Sequence, residues 1–182
     1  EFLTERRNDS VRSMPALCRA ADRKVLFAIQ RHCRCHPGDR IFPYVTALGN
    51  GGAIWLAAGG GLCCFEPTRK TGINVFQALF FSIVLIFLLK RIFSRSRPCD
   101  VYPDVSLLIR RPPDYSFPSG HALSSFAAAV ALASAGPMIG IPAFFIALAI
   151  AFSRLYLFVH YPADVLAGSL LGILMGTLAI LL

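Results

Sequence analysis

Residues 141–182 read IPAFFIALAIAFSRLYLFVHYPADVLAGSLLGILMGTLAILL, and that stretch decides the fold. It holds two apolar runs, Ile141 to Val159 and Ala163 to Leu182, with Ser153, Arg154, His160 and Asp164 clustered about their joint. Each run approaches the ~20 residues that a helix needs to cross a hydrocarbon core of ~30 Å. Pro162 suits the first turn of a helix, where its missing N–H is no loss, so a new helix starts there. The stretch predicts a helical hairpin in a bilayer.

Working outward, three more apolar runs appear at 44–65, at 72–89 up to Lys90, and from His121 to about Met138. The chain has 182 residues, 55% hydrophobic and only 15% charged, with a mean hydropathy of +0.60. Five helices that are apolar on all sides would leave a soluble protein without a polar surface. The predicted fold class is therefore all-α, a multi-pass membrane helical bundle of about five transmembrane helices plus an N-terminal interfacial amphipathic helix. Residues 1–42 form a basic N-terminal segment and 43–182 one membrane-embedded domain.

That basic segment carries nine of the eighteen Lys and Arg residues. Leu26 and Ile29 lie three apart while Arg23, Lys24, Arg31 and Arg34 supply a polar side, which predicts an interfacial helix over 16–33. No long apolar core follows the early arginines, so a cleavable signal peptide is not expected. Glu1-Phe2 stand where an initiator Met is expected, so the start reads as a cut or added end. Asn50-Gly51-Gly52 and Gly59-Gly60-Gly61 lack the Lys-Ser/Thr of a nucleotide loop and are assigned to close helix contact. Gly136-Pro137 ends the third run.

Topology then gathers the chemistry. The second run ends at Lys90, loop 91–117 stays on that face, and Ser119, Gly120 and His121 reopen the chain from it. The third run leaves and the fourth returns, delivering Arg154, His160 and Asp164 to the same surface. Lys90, Arg97 and Arg154 suit the neutralisation of phosphate oxygens. Backbone amides at Ser119, Gly120 and His121 add an anion-binding helix start. His160 is the expected nucleophile on phosphorus, with Asp164 four residues on orienting its ring. His121 is the expected general acid and base.

Lys90-x6-Arg97-Pro98, Pro118-Ser119-Gly120-His121 and Ser153-Arg154-x5-His160-x3-Asp164 resemble the three signature motifs of the type 2 phosphatidic acid phosphatase superfamily. The resemblance covers about residues 40–182. It implies a helical bundle, hydrolysis of phosphomonoesters or diphosphates without metal or other cofactor, and the roles just given. Vanadium haloperoxidases share the motifs but are soluble. The segment from Phe152 to Val165 is similar to undecaprenyl diphosphatases, which makes undecaprenyl diphosphate the expected substrate; phosphatidylglycerophosphate, phosphatidate and lipid A phosphatases are the alternatives. A different class, a non-catalytic membrane protein that binds anionic lipid, would have no need of His160 with Asp164.

The resemblance places the site on the extracytoplasmic face, although residues 1–42 and 90–117 hold fifteen of eighteen basic residues on that face, against the positive-inside tendency. Cys99, in the loop, is the expected reporter of sidedness. His32-Cys33-Arg34-Cys35-His36 reads as a basic segment rather than a metal cluster. The net charge of +8 suits anionic membrane lipids as partners and calls for no nucleic acid. Oligomeric state is not legible.

Overall fold

The computed structural model describes residues 16–182, so the start of the basic segment lies outside the described residues. Among them the structure is all helical: α1 Ala16–His32, α2 His36–Leu48, α3 Ala53–Cys63, α4 Arg69–Ile92, α5 Pro98–Val101, α6 Gly120–Ala133, α7 Pro137–Tyr156 and α8 Pro162–Leu181, with short 3-10 turns at Asn50–Gly52 and Glu66–Thr68.

Helix α6 is the axis, with α4, α7 and α8 packed around it. Its many alanines and serines leave room for close neighbours, and Leu123, Phe126 and Ala127 to Ala129 are buried in the core. Gly168, Gly172 and Gly176 repeat every four residues and so form one stripe on α8. That stripe lies against α6 so closely that a Cβ at Gly172 would sit 2.4 Å from the Leu123 carbonyl oxygen. The sequence assigned close packing to the glycines of the first run and overlooked this one.

The 27 residues from Glu66 through α4, together with α7 and α8, are long and apolar enough to cross a membrane. The first predicted run, 44–65, is not one helix: α2 and the segment from Asn50 through α3 are bent by 49°, which gives up to four spans if the pair counts as one. Gly51 (φ 59°) and Gly52 (φ 73°) make the break, in the left-handed region where a side chain is strained. The third predicted span is only the 14 residues of α6, ~21 Å long at 1.5 Å per residue. Being enclosed by other helices, it can end in irregular backbone without exposing that backbone to lipid. Outward faces of the long helices carry Phe80, Ile83 and Phe87, Phe145 and Leu148, and Leu166, Leu170 and Leu174, an apolar belt suited to hydrocarbon.

Helix α1 forms where the amphipathic pattern predicts it, yet its inner face meets protein. Leu26 and Asp22 are buried, and Gln30 Nε2 donates to the carbonyls of Leu155 (3.1 Å) and Tyr156 (2.9 Å). Those carbonyls sit at the C-terminus of α7, where intrahelical partners run out. The helix is thereby docked on the α7–α8 joint.

Candidate active site

The site is built where α7 hands over to α8. Phe158 takes φ 60°, a conformation that strains a bulky residue. Its buried ring offsets that cost, edge-on to Phe27 at 5.6 Å and Tyr102 at 6.1 Å between centroids. The turn carries His160 inward until it is 1% exposed.

His160 Nε2 lies 2.9 Å from Arg97 Nη1. A guanidinium has no acceptor, so Nε2 is the unprotonated nitrogen and the proton is on Nδ1. Nδ1 faces Ser116 Oγ at 3.5 Å and Asp164 Oδ2 at 3.7 Å. Burial, then the Arg97 and Arg154 charges, hold the ring well below the ordinary histidine pKa. The result is a neutral imidazole whose Nε2 lone pair points at a buried cation.

Three cations surround it. Arg97 also donates to the carbonyl oxygens of Val159 and Asp114, both at 2.8 Å, and to Asp114 Oδ1 at 2.6 Å. Lys90 pairs with Asp114 Oδ2. Partial burial alone would raise the Asp114 carboxyl, but Lys90 and Arg97 hold it below the usual carboxylate range. Arg154 is 3% exposed and donates through Nη1 to Thr46 Oγ1, while its buried Nε has no partner in the structure. A buried guanidinium nitrogen left unpaired is costly and asks for an acceptor.

His121 opens α6 and its Nε2 is 2.9 Å from Asn50 Oδ1. Asn50 reaches it because the α2–α3 break brings the backbone in; a Cβ at Gly49 would come 2.8 Å from His121 Cδ2. Ser119 is fully buried and caps α6, its Oγ accepting from the Ala122 N–H at 3.5 Å while its own N–H donates to the Asp164 carbonyl at 3.0 Å.

One cavity of about 410 Å³ is lined by Lys90, Arg97, Gly120, His121, Arg154 and His160 at its polar end and by Leu56, Leu79, Ile83 and Ile86 beyond. The structure thus brings six of the eight singled-out residues to one wall, with Ser119 and Asp164 behind it. Asp164 accepts from Ser116 Oγ (2.5 Å), Arg95 Nη1 (2.6 Å) and the Tyr161 N–H (2.8 Å). Arg95 continues to Asp22 at 2.6 Å, and Asp22 also accepts from the Ala163 N–H at 2.8 Å. Burial opposes the Arg95 charge, but Asp164 and Asp22 outweigh it and raise its pKa.

Sequence reasoning missed Arg95, Asp22, Ser116, Asp114, Thr46 and Asn50. Asp22 left a signal, an acid four residues before Leu26 on the inner stripe of α1. At 32–36, Cys35 precedes α2 and its N–H donates to Tyr156 Oη at 3.0 Å. Among the described residues no three His, Cys, Asp or Glu side chains are grouped to hold a metal ion.

Residues 71–182 match the PAP2 superfamily, and the chain belongs to that family. It is 38% identical over 120 residues to an undecaprenyl-diphosphatase of Sulfolobus acidocaldarius, covering 65% of this chain and 58% of that protein's length. It is 36% identical over 149 residues to a decaprenylphosphoryl-5-phosphoribose phosphatase of Mycolicibacterium smegmatis, covering 79% of each. The transmembrane PAP2-type phosphatidylglycerolphosphate phosphatase of Bacillus subtilis superposes with a TM-score of 0.74 at 26% identity, over 93% of this chain and 88% of that one. With its apolar belt and this transmembrane neighbour, the chain is a membrane protein. Asp22, Thr46 and Asn50 all precede the matched region.

Proposed function

We propose that this protein is a metal-independent lipid phosphatase that works through a phosphohistidine at His160, with undecaprenyl diphosphate as its substrate. The observation that carries the reading is a single cavity with the His160 Nε2 lone pair and Arg154, whose Nε has no partner, at one end and an apolar wall at the other. A phosphate at the polar end supplies the acceptor that Arg154 lacks, and a hydrocarbon chain suits Leu56, Leu79, Ile83 and Ile86. The relatives support the substrate class: each of the three names describes a lipid bearing two phosphates.

In the first step the Nε2–P bond forms and the P–O bond to the lipid breaks, while His121 gives its proton to the leaving oxygen. The ring becomes cationic, and Asp164 stabilises its Nδ1–H. In the second step His121 takes a proton from water, the water oxygen bonds to phosphorus, and the N–P bond breaks to release inorganic phosphate. Arg97, Lys90 and Arg154 offset the charge on the phosphoryl oxygens, and the Gly120 backbone allows close approach.

The same reading has five crossings, with α6 and the bent α2–α3 pair completing the three long helices, and α1 at the headgroup level within a basic segment of residues 1–42. The catalytic domain is 43–182 and its site opens on the extracytoplasmic face. Phosphate release from purified protein in detergent tests the proposal on a panel of polyprenyl diphosphate, phosphatidylglycerophosphate and phosphatidate. Polyprenyl diphosphate is expected to be turned over fastest, and His160→Ala to reduce release to background with lipid binding retained. A preference for a glycerolipid rejects the polyprenyl choice; undiminished turnover by His160→Ala rejects the nucleophile.

A further inference from the structure

A second cavity, of about 480 Å³, opens on the other side of His121 and Arg154. Its polar lining is Thr46, Asn50, Arg110, Arg111, His121 and Arg154, and no carboxylate lines it among the described residues. Arg111 is committed to the loop, donating to the Cys99 carbonyl at 2.8 Å and facing Asp100 at 3.5 Å. Arg110 is exposed and has no hydrogen-bond or ion-pair partner among the described residues. Pro43, Ile109, Pro112 and Pro113 complete its lining, but apolar burial does not explain the cations gathered here.

The position of the general acid says what does. His121 must reach the oxygen that leaves, so the leaving group begins at His121, where the basic cavity also begins. A leaving group that is only an alcohol on a hydrocarbon has no use for the Arg110 guanidinium beyond its oxygen. We propose that this cavity is a second anion subsite that holds the phosphate retained by the leaving group, with Arg110 as its recognition residue and Arg154 shared between the two phosphates. The subsite rests on the phosphatase reading and adds to it: the enzyme selects lipids bearing two phosphates and takes the outer one.

The test compares a polyprenyl diphosphate with the monophosphate of the same chain, in detergent, for the wild type, Arg110→Gln and Arg110→Lys, with His160→Ala as control. Arg110→Gln is expected to lower kcat/KM on the diphosphate about tenfold and to leave the monophosphate within about twofold, because only the former loses a charge-assisted contact. Arg110→Lys keeps the charge and is expected to restore most of that loss. Equal losses on both lipids, or none on either, overturn the subsite, while His160-dependent release from either lipid upholds the phosphatase reading. If neither lipid is turned over, the polyprenyl choice fails and binding decides the subsite. In the His160→Ala background, Arg110→Gln should then weaken inorganic diphosphate about tenfold and orthophosphate by less than about twofold. Equal weakening, or none, again overturns it.

Discussion

At the residue scale the site is a chain of charge that runs deeper than its motifs. His160, Asp164, Arg95 and Asp22 follow one another in a buried line, and Asp22 comes from a helix 73 positions before Arg95. Arg97, Arg154 and the two histidines were legible because their spacing is local and patterned. Arg95 and Asp22 were not, because two ordinary surface-type residues become a buried pair only through tertiary packing. Arg95→Gln strands two buried carboxylates and is expected to cost about 3–5 kcal/mol in thermal unfolding in detergent. Asp22→Asn keeps an acceptor for the Ala163 N–H and is expected to fold, with kcat reduced more than KM is changed. A proportional change in both would show that Asp22 acts on substrate binding instead. The burial of His160 also has a pH signature. Its folded pKa lies below the ~6.5 of the unfolded chain, so below that pH the unfolded state binds the extra proton and stability falls. His160→Gln removes this slope and is expected to gain on the wild type as pH drops from about 6.5 towards 5 in unfolding measurements. Parallel pH dependence of the two proteins would contradict a neutral, buried nucleophile.

At the element scale, helix starts do the positioning. α6 begins with Gly120 and His121, α8 places Asp164 in its first turn, and the glycine stripe of α8 fixes the distance between the two. Gly172→Leu pushes a side chain into a carbonyl 2.4 Å from the new Cβ, which cannot move without shifting α6. Overpacking of this kind costs about 1–3 kcal/mol or more, and here it also displaces His121 from His160. Gly60→Leu, with nothing within 4 Å of its Cβ, is expected to leave thermal stability and turnover nearly unchanged. The apolar runs foretold α4, α7 and α8 because long runs read alike in sequence and structure. The first run did not reveal its own break, since hydropathy does not register that Gly51 and Gly52 turn the chain to bring Asn50 to His121.

At the scale of the whole molecule, α1 is docked at the site end of the bundle, where Asp22 meets Arg95 and the start of α8. Cys99, the thiol expected to report sidedness, does not suit that purpose. It is fully buried, and burial raises its pKa further from reactivity. Asp104 is exposed in the same loop. Asp104→Cys, in a chain whose own cysteines are replaced, is expected to react with an impermeant thiol reagent on intact cells if the pocket opens outward; protection until the cells are opened would place it in the cytoplasm.

The most direct measurement quenches the purified enzyme in alkali during turnover of a polyprenyl diphosphate labelled in its outer phosphate, and locates the label by mass spectrometry. The predicted result is a phosphoryl group on the imidazole of His160, absent from His160→Ala. Label on any other side chain, or undiminished phosphate release by His160→Ala, would contradict the account.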